Sequence, residues 1–218
     1  MKGRLALGPV LSRVVVIALV FLTAACASHG KDFQRPDQTS LILEQTTKAE
    51  VIARFGQPKR RTAGDVNGWV SDKDNRPAGF RSATVEGDIE RLTYSFFKSG
   101  PVGIVDYSRR LSVGFWNDKL VFYEFSSSFP QDTTAFDENR AASFVRGKTT
   151  RDEAIGLLGR PGGEGVYPAV AKPGTRMISY LYFYVEALIG AKVIFKHLDL
   201  LFDSSDRLLE IYMSAQGT

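Results

Sequence analysis

Thr149-Thr150-Arg151-Asp152-Glu153-Ala154-Ile155-Gly156-Leu157-Leu158-Gly159-Arg160-Pro161 occurs twice in this chain. Thr46-Thr47-Lys48-Ala49-Glu50-Val51-Ile52-Ala53-Arg54-Phe55-Gly56-Gln57-Pro58 aligns with it without a gap. Six of the thirteen positions are identical, and Lys48 and Arg151 keep the charge. An internal repeat of this kind constrains a fold before any other signal. Each copy reads as a short helix marked at both ends. Thr47 and Thr150 have Glu50 and Glu153 three residues on, a capping box in which the hydroxyl and the carboxylate each satisfy an orphan N–H. Val51, Ile52 and Phe55 form one apolar stripe, and Ala154, Ile155 and Leu158 its equivalent. Gly56 and Gly159 stand where a helix ends in a left-handed residue, and Pro58 and Pro161 stop any continuation.

Beyond each helix the hydrophobic period changes to two. Leu92, Tyr94 and Phe96 alternate with Thr93, Ser95 and Phe97. Gly100-Pro101 turns the chain into Leu111, Val113 and Phe115, and Asn117-Asp118 into Leu120 to Phe125. The second copy repeats this with Arg176 to Val185, then Leu198, Leu200 and Phe202, the turn Asp203 to Asp206, and Leu209, Ile211 and Met213. Leu41 to Leu43 read as a helical turn or short helix ahead of the first capped helix, and Ala141 to Val145 as a short helix ahead of the second. Residues 62–90 read as turn-rich, and Gly162-Gly163-Glu164-Gly165 as a turn after Pro161. The expected fold is α+β, with two tandem modules, 40–130 and 131–218. Each module is a short helix-turn-helix packed on one face of a three- or four-stranded antiparallel sheet.

The first residues have a different character. Lys2, Arg4 and Arg13 precede the uninterrupted apolar run Val14 to Leu22. That run falls short of the roughly 20 residues that span a bilayer and fits the core of a signal peptide, residues 1–25. Leu22-Thr23-Ala24-Ala25-Cys26 then resembles the lipobox of bacterial lipoproteins. The resemblance implies cleavage before Cys26 and lipidation of that residue, the only cysteine in the chain. The implied acyl chains, palmitate or similar, anchor stably when two or more are present. By resemblance to the sorting rule of enteric bacteria, Ala27 favours the outer membrane, with the fold facing the periplasm. Residues 26–39 read as a flexible tether that includes a solvated His29. The leader holds three of the 28 basic residues and none of the 24 acidic ones. The rest of the chain is near neutrality, which gives no reason to expect nucleic acid as a partner.

The pattern Gly147-x-Thr149-Thr150-x-x-Glu153, then Leu158-Gly159-x-Pro161 and a β-meander, resembles the SmpA/OmlA (BamE-like) domain of outer-membrane lipoproteins. The first copy departs at Glu44, where the pattern has Gly. In tandem the copies also resemble the β-lactamase inhibitor protein fold. These resemblances imply a protein-binding or scaffold role in outer-membrane assembly or integrity, with an envelope protein as partner. The alternative is an inhibitor or ligand sensor that meets a periplasmic enzyme or a cell-wall component on a concave sheet.

Reactive chemistry is sparse, and no catalytic residue, cofactor or metal is expected. Gly147-Lys148-Thr149 is no phosphate loop, because the earlier Gly of that motif is replaced by Ala142. His197 and Asp199 share one face of a strand, and Asp203 or Asp206 could join them around a metal. A surface strand His beside a turn is the plainer reading. For partner binding, Val121/Tyr123/Phe125 and Leu209/Ile211/Met213 read as covered faces, which leaves Phe122 and Tyr212 on the open ones. The row Tyr180, Tyr182 and Tyr184 is either an aromatic binding surface or packed beneath a helix.

Overall fold

The computed structural model describes residues 28–63, 76–99, 105–186 and 192–217. The expected signal peptide and Cys26 lie outside them. Both capped helices form as the sequence marks them: α1, Lys48–Phe55, and α2, Arg151–Leu158. Each has both arms of its capping box, and the N–H of Gly56 and Gly159 closes on Ile52 and Ile155 at 2.8 Å.

Nine strands are formed among the described residues: β1 Ser28–His29, β2 Arg60–Ala63, β3 Glu90–Ser99, β4 Val105–Trp116, β5 Lys119–Ser127, β6 Gly163–Val166, β7 Arg176–Glu186, β8 Lys192–Phe202 and β9 Leu208–Gln216. They form one antiparallel sheet in the order β1-β3-β4-β5-β6-β7-β8-β9, with β2 on the outer edge of β3. The far end of β4 also pairs with β7, Val105 with Glu186 and Asp106 with Val185. The pairings β4–β5–β6–β7–β4 therefore close on themselves as a small barrel.

This corrects the expected α+β arrangement. The protein is mostly β, with a closed barrel and extra strands in place of two modules built of a helix-turn-helix on a sheet. Two local causes are visible. The segments ahead of the capped helices stop at single turns: the Thr46 N–H closes on the Ile42 carbonyl at 2.9 Å, the helical turn the sequence allowed, and Glu138–Ser143 is a short 3-10 helix. The Oγ1 atoms of Thr46 and Thr149 accept the backbone N–H of Ile42 and Val145, both at 2.9 Å, so side chains supply bonds that a helix would have supplied. The glycine run after Pro161, expected as a turn, is strand β6 and joins β5 to β7. A Cβ on Gly162 would stand 2.5 Å from the Phe125 carbonyl oxygen, and one on Gly163 2.4 Å from that of Tyr123. Only glycine lets the backbones approach so closely.

The repeat is nevertheless carried into the tertiary structure. Each N-cap bridges the start of its third strand, Thr47 to Lys119 and Thr150 to Arg207. The N–H of Leu120 donates to Thr46 and that of Leu208 to Thr149, both at 2.9 Å. The larger core gathers Val51, Leu92, Leu111, Val113, Leu120 and Phe125, and borrows Val166, Val170, Met177 and Leu201 from the later half. The smaller one holds Ala154, Ile178, Tyr180, Leu198, Leu200, Phe202 and Leu208.

Over its described residues the expected tether is laid down on the fold. Ser28 and His29 pair with Lys98 and Phe97. Phe33 packs edge-on to Phe55 and Phe125, each with centroids 6.2 Å apart. Asp32 and Asp132 hold the buried Arg109 guanidinium at 2.5 and 2.8 Å, and Arg35 caps the carbonyls of Arg160 and Pro161. One half-buried ring and these charge-assisted bonds outweigh the polar composition on which the flexible reading rested.

Candidate functional site

Two places concentrate chemistry, one buried and one open. The buried one is a polar cluster between β5, β7, β8 and the residues around Arg76. Asp199 on β8 pairs with Arg76 and, through Oδ1, with His197 Nε2 at 3.0 Å. Ser179 Oγ on β7 donates to Glu124 Oε1 on β5 at 2.7 Å, and the same oxygen lies 3.5 Å from His197 Nε2. The Tyr212 ring covers the Arg76 guanidinium at 4.9 Å and meets His197 edge-on. Burial pushes the Glu124 carboxyl up, but the hydrogen bonds from His197 and Ser179 and the charges of His197 and Arg76 outweigh it. The carboxyl is held down at about 2. This corrects the reading of His197 as a surface residue: it is 3% exposed, and Asp199 is fully buried.

Ser179, His197 and Asp199 are the residue types of a hydrolytic triad, but not its geometry. A triad gives one ring nitrogen to the serine and the other to the carboxylate. Here Nε2 faces both Asp199 and Ser179, the latter at 3.4 Å, and the buried Nδ1 has no hydrogen-bond partner among the described residues. Ser179 is also fully buried. Glu124, His197 and Asp199 do offer three ligand atoms within 4.8 Å of one another. Arg76 already supplies a positive charge to Asp199, so the donor set matches an internally compensated ion-pair network better than a cation site.

The open place is a cleft of about 520 Å³ at the hairpin turns. The β4–β5 turn at Asn117 and the β8–β9 turn at Asp203–Asp206 flank it, and Val121 and Val166 belong to its apolar lining. Trp116 and Tyr167 meet edge to face at 6.2 Å on one side, with Trp116 Nε1 fixed on the Glu86 carbonyl at 3.0 Å. Lys119, Arg176, Glu44, Asp203 and Asp206 bring charges of both signs. Asp203 Oδ1 accepts the N–H of Ser205 and Arg207 and so shapes the turn. The volume and the mix of aromatic, aliphatic and convergent polar groups suit a binding site.

Glu44 has a further peculiarity. It occupies the repeat position of Gly147 and adopts the same left-handed backbone, φ +63° against +74°. Its N–H makes the equivalent bond, Glu44 to Leu120 and Gly147 to Leu208, both at 2.7 Å. Glu is therefore held where Gly is comfortable, and its side chain lines the cleft.

The expected binding residues do not form one surface. Phe122 is 4% exposed and belongs to the larger core, which corrects its reading as an open-face residue, and Tyr180, 2% exposed, belongs to the smaller one, the packed alternative of its row. The Tyr180 hydroxyl donates to the Gly159 carbonyl at the end of α2, and burial pushes its pKa up. Tyr182 and Tyr184 are half-buried and stacked, ring centroids 6.3 Å apart. Tyr212 belongs to the buried cluster. On β9, Leu209 and Met213, expected as covered, are exposed, whereas Ile211 between them packs partly against the smaller core. Sequence reasoning missed Trp116, Tyr167 and Val166. The one available signal was Glu44, a departure from the repeat at a glycine position.

No protein-family model matches the chain, and no curated protein matches it. A solved structure described as a "putative beta-lactamase inhibitor protein" from Streptococcus mutans is similar at 11% sequence identity and a TM-score of 0.38. The match covers 92% of this chain and 96% of that one. A likeness that distant informs neither the fold nor the function.

Proposed function

We propose that this protein is a non-enzymatic, lipid-anchored binding module of the bacterial envelope, with the hairpin-turn cleft as its recognition site. The observation that carries this reading is Glu44. A strained backbone at a non-glycine residue persists where the surrounding structure demands it, and such positions cluster at binding sites. The lipobox at Cys26 and the SmpA/OmlA-like motif support an envelope location and a scaffold role. The cleft volume also favours a second reading, a sensor for a small envelope ligand such as a cell-wall fragment.

The test is affinity purification of the tagged protein from detergent-solubilised envelopes, comparing wild type with Trp116→Ala and Glu44→Gly. A stoichiometric protein partner, depleted in both variants, supports the scaffold reading. Glu44→Gly is expected to raise stability, by about 1 kcal/mol in urea unfolding, while lowering recovery of the partner. Partner recovery indifferent to both substitutions overturns the cleft as the site. Capture of a low-molecular-weight ligand without any protein moves the assignment to the sensor.

A further inference from the structure

The end of the sheet opposite the cleft gathers exposed apolar and basic side chains. β1 pairs with β3 at Ser28–Lys98 and His29–Phe97, where β3 finishes. The β4 pairing of Val105 and Asp106 with β7 brings the β7–β8 end, Glu186 opposite Lys192, to the same place. Phe97 and Val193 are exposed there, at 41% and 44%. Lys98 and Lys192 are exposed beside them, and Lys59 Nζ stands 5.8 Å from the Phe97 ring centroid. By sequence position, three basic residues, Lys59, Lys98 and Lys192, and two acidic ones, Asp106 and Glu186, belong to this end among the described residues. By sequence, the residues that link β3 to β4 (100–104) and β7 to β8 (187–191) include no charged residue.

Chain length names the occupant. Because Ser28 is fixed on β3, Ala27 alone separates it from Cys26. Two Cα–Cα steps span at most about 8 Å. A lipid on Cys26 must enter the bilayer within that distance of Ser28, so Lys98 and Phe97 meet the headgroups. We infer that the end formed by Ser28, Phe97, Lys98, Lys192 and Val193 docks flat on an anionic bilayer, with exposed apolar side chains entering the interface and lysines meeting acidic headgroups. This rests on the lipid-anchor reading. The cleft, at the other end of β4, then faces away from the bilayer at a height of about 35 Å.

The experiment uses the lipidated protein in vesicles of phosphatidylethanolamine and phosphatidylglycerol. A fluorophore is placed on Val193→Cys or, in the cleft, on Ser204→Cys, and headgroup-attached quenchers report proximity. Quenching at 193 should exceed that at 204 several-fold. Lys98→Glu with Lys192→Glu should lower it at 193 and leave it unchanged at 204. Equal, weak quenching at both positions overturns the docked arrangement, as does strong quenching at 193 only when a protein partner is added. Labelled palmitate incorporation, with Cys26→Ser as control, tests the anchor separately. Label incorporated without preferential quenching defeats docking alone, whereas no incorporation defeats the anchor reading on which docking rests.

Discussion

The two repeated helices and the seam between the halves are built by opposite means. α1 and α2 are specified by residues within a few positions of one another: a capping Thr, a reaching Glu, a short apolar stripe and a closing Gly. They sit at the periphery and dock on their own third strands through matching bonds. The seam consists of β6 and the cluster of Arg76, Glu124, Ser179, His197 and Asp199, and apart from the His197–Asp199 contact along β8 its contacts join residues distant in sequence or on different strands. The helices are interchangeable parts, whereas the seam makes the two halves one sheet. Energetically, a cap contributes about 1 kcal/mol, and a buried charge left without its partner costs several.

The comparison is broken most severely at Asp199. Asp199→Ala leaves Arg76 and His197 buried without their carboxylate and is expected to cost about 3–5 kcal/mol, read as a drop in the urea midpoint. A cost near that of a surface substitution would mean that the seam contributes no more than the helices do. Acid should act on the seam next. The folded Glu124 carboxyl titrates at about 2, below the ordinary range of roughly 4.3 for an unfolded chain. Its contribution is therefore present above about pH 4 and lost as pH falls toward 2. Glu124→Gln, which can still accept from Ser179, should flatten that part of the stability–pH curve. An unchanged acid slope would place the titrating group elsewhere. The smallest effects belong to the caps. Thr47→Ala and Thr150→Ala should each cost about 1 kcal/mol and add when combined, since the two sites share no partner. Unequal costs, or strong coupling, would show that the two copies are not equivalent parts.

The departures from the expected fold follow the same division. Thr46 and Thr149 mark helix entries in the sequence, and each closes a single turn with Ile42 or Val145 through one backbone bond and one side-chain bond, with no α-helix before it. Gly162 and Gly163 read locally as turn residues. Against the carbonyls of Phe125 and Tyr123 they are the only residues thin enough for a strand. His197 and Glu124 lie on strands whose alternation gives each a solvent side. Closure of β4 to β7 and the cover of Arg76 and Tyr212 bury both faces, so period two no longer separates inside from outside. Met213 and Leu209 are exposed for the converse reason: β9 is the edge strand of the sheet.

What the sequence by itself determined were the elements whose causes are local: the two capped helices with their glycine stops, and the period-two strands with their hairpin turns. Those depend on hydrogen bonds and steric limits within a few residues, which a linear pattern records. The tertiary structure alone decided the continuous sheet, the buried ion cluster, the laid-down N-terminal segment and the cleft. Each depends on how closely distant backbones approach and on which charges they enclose, and no spacing along the chain encodes that.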